Sequence, residues 1–275
     1  MLPLPIEGRV YTATRQVRLG DAAPDRRARL DALARYLQDV AEDDAAEAEL
    51  PSSIGWVLRR TRMTVVRFPL LGERLHLATF CSGIAARWAE RTTTIRGDGV
   101  DGGGGGGGGG LAQATSVWVA IDLRSGTPAR LGERFTETYG VAAGSRSASA
   151  RLALGPPPDT ARESARPWPL RTSDLDVWGH VNNAVAWAAV EDAMGAGGEP
   201  SLVAEVEHHR AIEPHRRPLL AVQARDDGRA AWLLDDERGE VLVAALVTPL
   251  GPADLPGQDG AAPSGGIAGP SAREP

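Results

Sequence analysis

Two carboxylates, an imidazole and two amides crowd into one stretch of this chain, Asp174-Leu-Asp176-Val-Trp178-Gly179-His180-Val-Asn182-Asn183, and the chain holds no other asparagine. A carboxylate can act as general base on water, and an imidazole can donate a proton or orient the reacting group. The residues that follow, AVAWAAVEDAM, have helical composition, so the cluster falls where a loop turns into a helix. Free N–H groups at such an entry can polarise a carbonyl. The structural alternative is that Asp176 caps the helix and His180 packs behind its first turn.

Other candidates carry less chemistry. His208 and His209 are adjacent in a strand-like run, so they point to opposite faces and make a poor metal pair. His76 and His215 have no nearby ligand set, and Cys81, the single cysteine, reads as a small buried apolar residue. No G-x-G-x-x-G or P-loop occurs, because the long glycine run lacks the lysine and following helix of a phosphate cradle. No metal, nucleotide or other cofactor is implied. Three arginine clusters, Arg26-Arg27-Arg29, Arg59-Arg60-Arg62 and Arg216-Arg217, could dock an acidic partner or form a solvated face.

The elements that must position the cluster follow from periodicity. In LDALARYLQDVAEDDAAEAEL, Leu30, Leu33, Leu37, Val40 and Ala41 recur at helical spacing among acidic residues, which predicts a long amphipathic helix. A strand-like VYTATRQVRL precedes it. Four strand-like runs follow, WVLRRTRMTVVRF, ERLHLATFCSG, ARWAERTTTIRG and ATSVWVAIDL. The second half repeats the order in brief, with RTSDLD, a helical HVNNAVAWAAVEDAM and four strands from LVAEVEHHRAI to VLVAALVTPL. One strand, one long helix and four antiparallel strands, written twice, predict an α+β fold in which a sheet wraps a central helix.

Composition bounds the rest. The chain has 275 residues, and its 30 basic residues, all arginine, are outnumbered by 36 acidic ones, which argues against nucleic acid as a partner. Its longest strongly apolar run, Val241 to Leu250, is about half a membrane span, so no membrane partner is expected. The N-terminal residues show no basic region followed by an apolar stretch, and the expected location is cytoplasmic. Gly102 to Gly110 reads as a flexible hairpin tip. The expected organisation is an N-terminal domain over 1–140, a linker over 141–169, a C-terminal domain with the active site over 170–250 and a disordered tail over 251–275.

The stretches RLDALARYLQDVAEDDA, GWVLRRTRMTVVRFPLLGERLHLATFCSG, TSVWVAIDLRSGTPARL and LRTSDLDVWGHVNNAVAWAAVED together resemble the acyl-acyl carrier protein thioesterases of double hot-dog type. That resemblance implies a double hot-dog, two units of antiparallel sheet each wrapped around a long central helix, that hydrolyses a fatty acyl thioester carried on acyl carrier protein. Asp176 and His180 match the family's aspartate and histidine, and Asn182 and Asn183 match its paired asparagines. The family's asparagine between aspartate and histidine falls on Trp178, and the position where plant members carry cysteine falls near Ile212. What remains is a scheme with Asp176 or the neighbouring Glu213 activating water, and Gly179, Trp178, Asn182 and Asn183 around the substrate. Aligning the two halves places Asp21 opposite Asp176 and Asp25 opposite His180, so one half keeps the site and the other supplies wall and acyl pocket. Leu33, Leu37, Trp56, Val57 and Leu58 are the pocket candidates. The alternatives are an acyl-CoA thioesterase on the same fold and a non-catalytic acyl-binding relative. The assembly implied is a monomeric pseudo-dimer or a homodimer.

Overall fold

The computed structural model describes residues 1–100, 108–195 and 199–251. The first half runs β1 (Tyr11–Gln16), α1 (Leu30–Glu47), β2 (Ile54–Arg67), β3 (Arg74–Ile84), β4 (Trp88–Gly97), β5 (Leu111–Asp122) and α2 (Glu133–Ala143). The second runs α3 (Asp159–Glu163), β6 (Arg166–Pro167), α4 (Val185–Met194), β7 (Leu202–His208), β8 (Leu219–Arg225), β9 (Gly228–Leu234) and β10 (Val241–Pro249). All ten strands form one antiparallel sheet in the order β1-β3-β4-β5-β2-β7-β10-β9-β8-β6. Its seam is the β2–β7 pair, in register from Arg60 opposite Glu207 to Val65 opposite Leu202.

Alternation along the strands decides which face meets the helices. Met63, Val65, Ala112, Ala114, Leu202, Ala204, Val206, Ala245 and Val247 join Leu30, Leu33 and Leu37 of α1 and Trp187 and Val190 of α4 in the main core. The helix α1 buries Leu30, Leu33, Ala34, Leu37 and Val40 as its spacing requires, and it also buries Asp44. That carboxylate is tolerated because donors surround it: Arg9 and Arg91 each reach it at 2.6 Å, and the Tyr139 hydroxyl donates to it at 2.9 Å. The second-half helix is shorter than expected. It begins at Val185, two residues after Asn183, so His180 to Asn183 remain in the loop.

The segment expected to be only a linker carries structure. Its start is taken by α2, which buries Phe135, Tyr139, Ala142 and Ala143 at helical spacing and ends at Gly144, whose φ of 58° closes the turn. Further on, the backbone N–H groups of Ala153 and Leu154 donate to the fully buried Glu207 carboxylate at 2.6 and 3.0 Å. The Trp232 indole donates to Gly155 O at 2.9 Å, and Ala161 packs with Ala221, Ala230, Trp232 and Ala244. These residues cover the sheet face turned away from the helices.

The glycine run lies mostly outside the described residues, and so does the tail beyond 251. Its last members are not a free tip. Gly110 is buried, and its N–H donates to the buried Glu73 carboxylate at 2.6 Å. The same carboxylate accepts the Leu70 and Gly99 N–H groups at 2.8 and 3.0 Å. A Cβ on Gly110 would stand 2.7 Å from Pro69 Cα. Gly110→Ala should therefore cost about 1–3 kcal/mol, a melting point lower by a few degrees in a scanning calorimeter; an unchanged melting point would show that this strand entry yields without strain.

Candidate functional site

A short 3₁₀ turn, Thr172–Asp174, leads into the loop that carries the expected site, and a matching turn, Leu19–Asp21, precedes α1. In each, the aspartate at the end of the turn accepts a backbone N–H three residues back, Arg171 to Asp174 at 2.7 Å and Arg18 to Asp21 at 3.0 Å. Backbone bonds then fix the rest of the correspondence. Asn182 N–H donates to Asp174 O as Arg29 N–H does to Asp21 O, both at 2.8 Å. Asp176 N–H donates to His180 O as Ala23 N–H does to Arg27 O. Gly179 and Arg26 both turn through positive φ, 77° and 72°.

This corrects the expected alignment of the halves. Asp21 stands opposite Asp174, Ala23 opposite Asp176, Asp25 opposite Trp178, and Arg27 opposite His180. Matching acidic residues by eye shifts the pairing by two positions, whereas the hydrogen bonds of the turn leave no such freedom. In the first half the equivalent region is a closed charge network. Arg29 pairs with Asp31 at 2.8 Å, Arg35 reaches Asp31 and Asp21, and the Tyr36 hydroxyl donates to Asp21 at 2.7 Å.

The second-half loop is open by comparison. Asp176 Oδ1 accepts the N–H groups of Trp178 and His180 at 2.9 and 3.0 Å, while its Oδ2 has no partner among the described residues. The His180 imidazole is exposed and makes no hydrogen bond there. Trp178 is 76% exposed at the loop tip, beside an exposed Val177. The residue that closes the entry to α4 is Asn182, whose Oδ1 accepts the Ala184 N–H at 2.8 Å, so Asp176 does not cap the helix. Glu213 is exposed, its carboxylate has no partner among the described residues, and it lies one residue beyond Ile212, whose carbonyl accepts the Val181 N–H at 3.4 Å. That bond runs the two segments side by side, yet no side-chain hydrogen bond joins Glu213 to Asp176 or His180. Ile212 is buried in the main core.

Asn183 lines a small cavity of about 10 Å³ with Ala34, Leu37 and Gln38 of α1, Leu58 and Thr61 of β2, Ser116 and Trp118 of β5, and Ala184 and Trp187. Of the expected pocket residues, Leu37 and Leu58 are there. Leu33 is plain core, Trp56 stacks at 5.4 Å on Phe135, and Val57 is exposed. Gln38, Thr61, Ser116 and Trp118 were missed. Gln38 could have been found, since it extends the Leu30, Ala34 spacing along the buried stripe of α1 as an amide among apolar residues.

The remaining candidates are structural. Cys81 is buried, and burial pushes its thiol up to about 11. Burial pushes the His208 imidazole down to about 4, and His209 lies 3.5 Å from Glu207. No group of His, Cys, Asp or Glu among the described residues could hold a metal ion. The arginines are mostly engaged within the chain: Arg59 donates to His208 O at 2.9 Å, Arg60 to Arg151 O at 3.2 Å, and Arg216 pairs with Asp235 at 3.3 Å. Arg26 and Arg217 are exposed, and their side chains have no partner among the described residues. No helix among those residues is long and apolar enough to cross a membrane.

Comparison with known proteins adds three findings. Residues 8–139 match the family model of the acyl-ACP thioesterase N-terminal domain. An uncharacterised Mycobacterium tuberculosis protein, Rv2001, is 26% identical over 216 residues, covering 78% of this chain and 80% of its own. Among solved structures, an acyl-ACP thioesterase from Bacteroides thetaiotaomicron superposes with a TM-score of 0.71 at 15% identity, over 87% of this chain and 97% of that one. A 12:0-ACP thioesterase from Umbellularia californica gives 0.67 at 20% identity, over 89% and 98%. The two structural likenesses speak for the shared fold.

The helix–helix contact beside the site has its own titration. Burial pushes the Glu191 carboxyl of α4 up to about 7, with Asp31 adding to the shift and the Leu30 N–H, Arg29 and Arg27 opposing it. The native state thus holds a proton that the unfolded chain releases near the ordinary value of 4.5. Stability contributed by this group is present below that value and is lost as pH rises towards 7. Glu191→Gln should remove this part of the slope in denaturant titrations and leave the variant relatively more stable at alkaline pH; an identical slope in both proteins would mean that Glu191 is solvated.

Proposed function

From the match of residues 8–139 to the acyl-ACP thioesterase N-terminal domain we propose that the chain is a thioester hydrolase that frees a fatty acid from acyl carrier protein. The observation that carries the reading to a site is the Asp176 carboxylate, held by two backbone N–H groups through Oδ1 and left open at Oδ2, in a loop that also presents His180. The architecture proposed is a double hot-dog, residues 1–140 and 170–250 each contributing half of the sheet and one central helix. The mirrored strand order on either side of β2 and β7 supports it.

In this scheme Asp176 Oδ2 takes a proton from water as the water oxygen bonds to the thioester carbon. His180, free to rotate at the loop surface, orients that water and delivers a proton to the departing sulfur. The carbon–sulfur bond breaks, leaving a carboxylic acid and the carrier thiol. Gly179 keeps the loop backbone close enough to approach the substrate, Asn182 fixes the start of α4, and Asn183 and Trp178 face the acyl-pantetheine. Glu213 is the second acid within reach if the loop closes on substrate. The exposed Arg26 and Arg217 are the basic groups available to steer an acidic carrier protein.

An acid or base group contributes about 10²- to 10⁴-fold, whereas loss of a loop hydrogen bond costs about 1 kcal/mol of stability. Asp176→Asn and His180→Ala should each remove most thiol release from acyl-carrier thioesters with near-native melting, and Glu213→Gln should report whether that acid shares the work. Retention of more than about a third of kcat by both of the first two variants would place the chemistry elsewhere. Absence of turnover by the unaltered protein on carrier and CoA thioesters alike, with acyl chains still bound, would replace the enzyme by an acyl-binding module.

A further inference from the structure

The cavity at the start of α4 is unusual in what it leaves unsatisfied. Thr61 Oγ1 and Ser116 Oγ bond each other at 2.8 Å, but several other donors of the lining are open. Among the described residues, the side-chain amides of Gln38 and Asn183 make no hydrogen bond, and the Asn183 backbone N–H has no acceptor. The Trp118 Nε1–H is buried and donates to nothing. Buried donors are almost always satisfied, so the Trp118 Nε1–H, left open beside the half-buried Gln38 and Asn183 amides around a space the size of a single oxygen, points to an acceptor that arrives from outside.

The other half shows what closure of such a space looks like. The turn correspondence that pairs Arg29 with Asn182 pairs Leu30 with Asn183 and Gln38 with Glu191. The Leu30 N–H lies close enough to the Glu191 carboxyl to oppose the rise of its pKa, so the facing helix covers the terminus of α1. The equivalent cap on α4 would come from Gln38, where an amide replaces the carboxylate and the Asn183 N–H stays free.

We propose that this cavity receives the carbonyl oxygen of the thioester, with the Trp118 Nε1–H, the Asn183 N–H and the Gln38 side-chain amide as its donors. The proposal rests on the thioester-hydrolase reading above and gives the first half a direct polar role in it. When water adds to the carbonyl carbon, the carbonyl electron pair moves onto this oxygen, and donors already in place stabilise the charge. When the double bond re-forms, the carbon–sulfur bond breaks, the departing sulfur takes its proton from His180, and the proton that the attacking water gave to Asp176 passes back to the imidazole. The apolar remainder of the lining, Ala34, Leu37, Leu58 and Trp187, marks where the acyl chain would leave the reacting centre.

Trp118→Phe removes the indole donor with little change of shape, and Gln38→Glu installs the closure that Glu191 provides in the other half. Each should lower kcat on lauroyl- and palmitoyl-carrier thioesters about 10²-fold, with KM and melting little changed. Gln38→Met repeats the test without a charge should Gln38→Glu fail to fold. Binding is read separately by calorimetry with two inert probes, a long-chain pantetheine ketone that keeps the carbonyl and the matching thioether that lacks it. The unaltered protein should prefer the ketone, and Trp118→Phe and Gln38→Glu should abolish that preference. If these variants keep kcat within about twofold and the unaltered protein binds both probes equally, the assignment falls while the hydrolase reading stands. If the protein hydrolyses no thioester yet prefers the ketone in a Trp118-dependent way, the hydrolase reading falls and the carbonyl site stands.

Discussion

The ladder between β2 and β7 is the contact on which the rest of the molecule depends. It turns two half-sheets into one surface, so α1 and α4 must share a face and lie against each other. Once they do, Glu191 in the second turn of α4 comes to Leu30 at the start of α1, while Gln38 in the third turn of α1 comes to Asn183, just ahead of α4. No short segment of sequence could assemble that cavity. It exists because a central strand pair holds the two helices in fixed register.

The same frame makes the chemical difference between the halves visible. Both loops carry the same backbone bonds, yet one is filled by arginine–aspartate pairs and the other presents a carboxylate oxygen and an imidazole that have no partner among the described residues. A charge network with its donors and acceptors matched has nothing left to offer a ligand. The open loop keeps its polar groups uncommitted and holds their backbone just as firmly. Matched charges fill one turn and open polar groups the other, on the same backbone frame.

Much of this was legible in the sequence. The strands read well because alternation is a local signal, and α1 read well because Leu30, Leu33, Leu37 and Val40 keep strict spacing. The loop from Asp174 to Asn183 stood out by residue type alone. What failed needed partners distant in the chain. Asp44 looks like a solvent-facing acid until Arg9, Arg91 and Tyr139 arrive around it. Gly110 belongs to a featureless run until Glu73 claims its N–H and Pro69 fills its side-chain space. The α2 helix was passed over although Phe135, Tyr139, Ala142 and Ala143 carry its periodicity. The shift in aligning the halves arose because counting acidic residues cannot see a backbone turn.

The segment strapped across the outer face bears on how such a chain could be recombined. Glu207 sits at the seam of the sheet with no exposed surface, and its carboxylate is held by the N–H groups of Ala153 and Leu154. A second half cut at residue 170 would keep its main strands, its helix and its open loop, but would take from the Glu207 carboxylate both of those N–H donors and leave the His209 imidazole, 3.5 Å away, as a neighbour whose burial disfavours its charge. Breaking a buried pair in this way costs about 3–5 kcal/mol, a large share of what a domain has to spare. The halves can be compared as copies, but they cannot be exchanged as cassettes. Any graft of the second onto a different first half has to bring residues 153–165 with it, because the strap and the strands it covers share buried hydrogen bonds and apolar contacts.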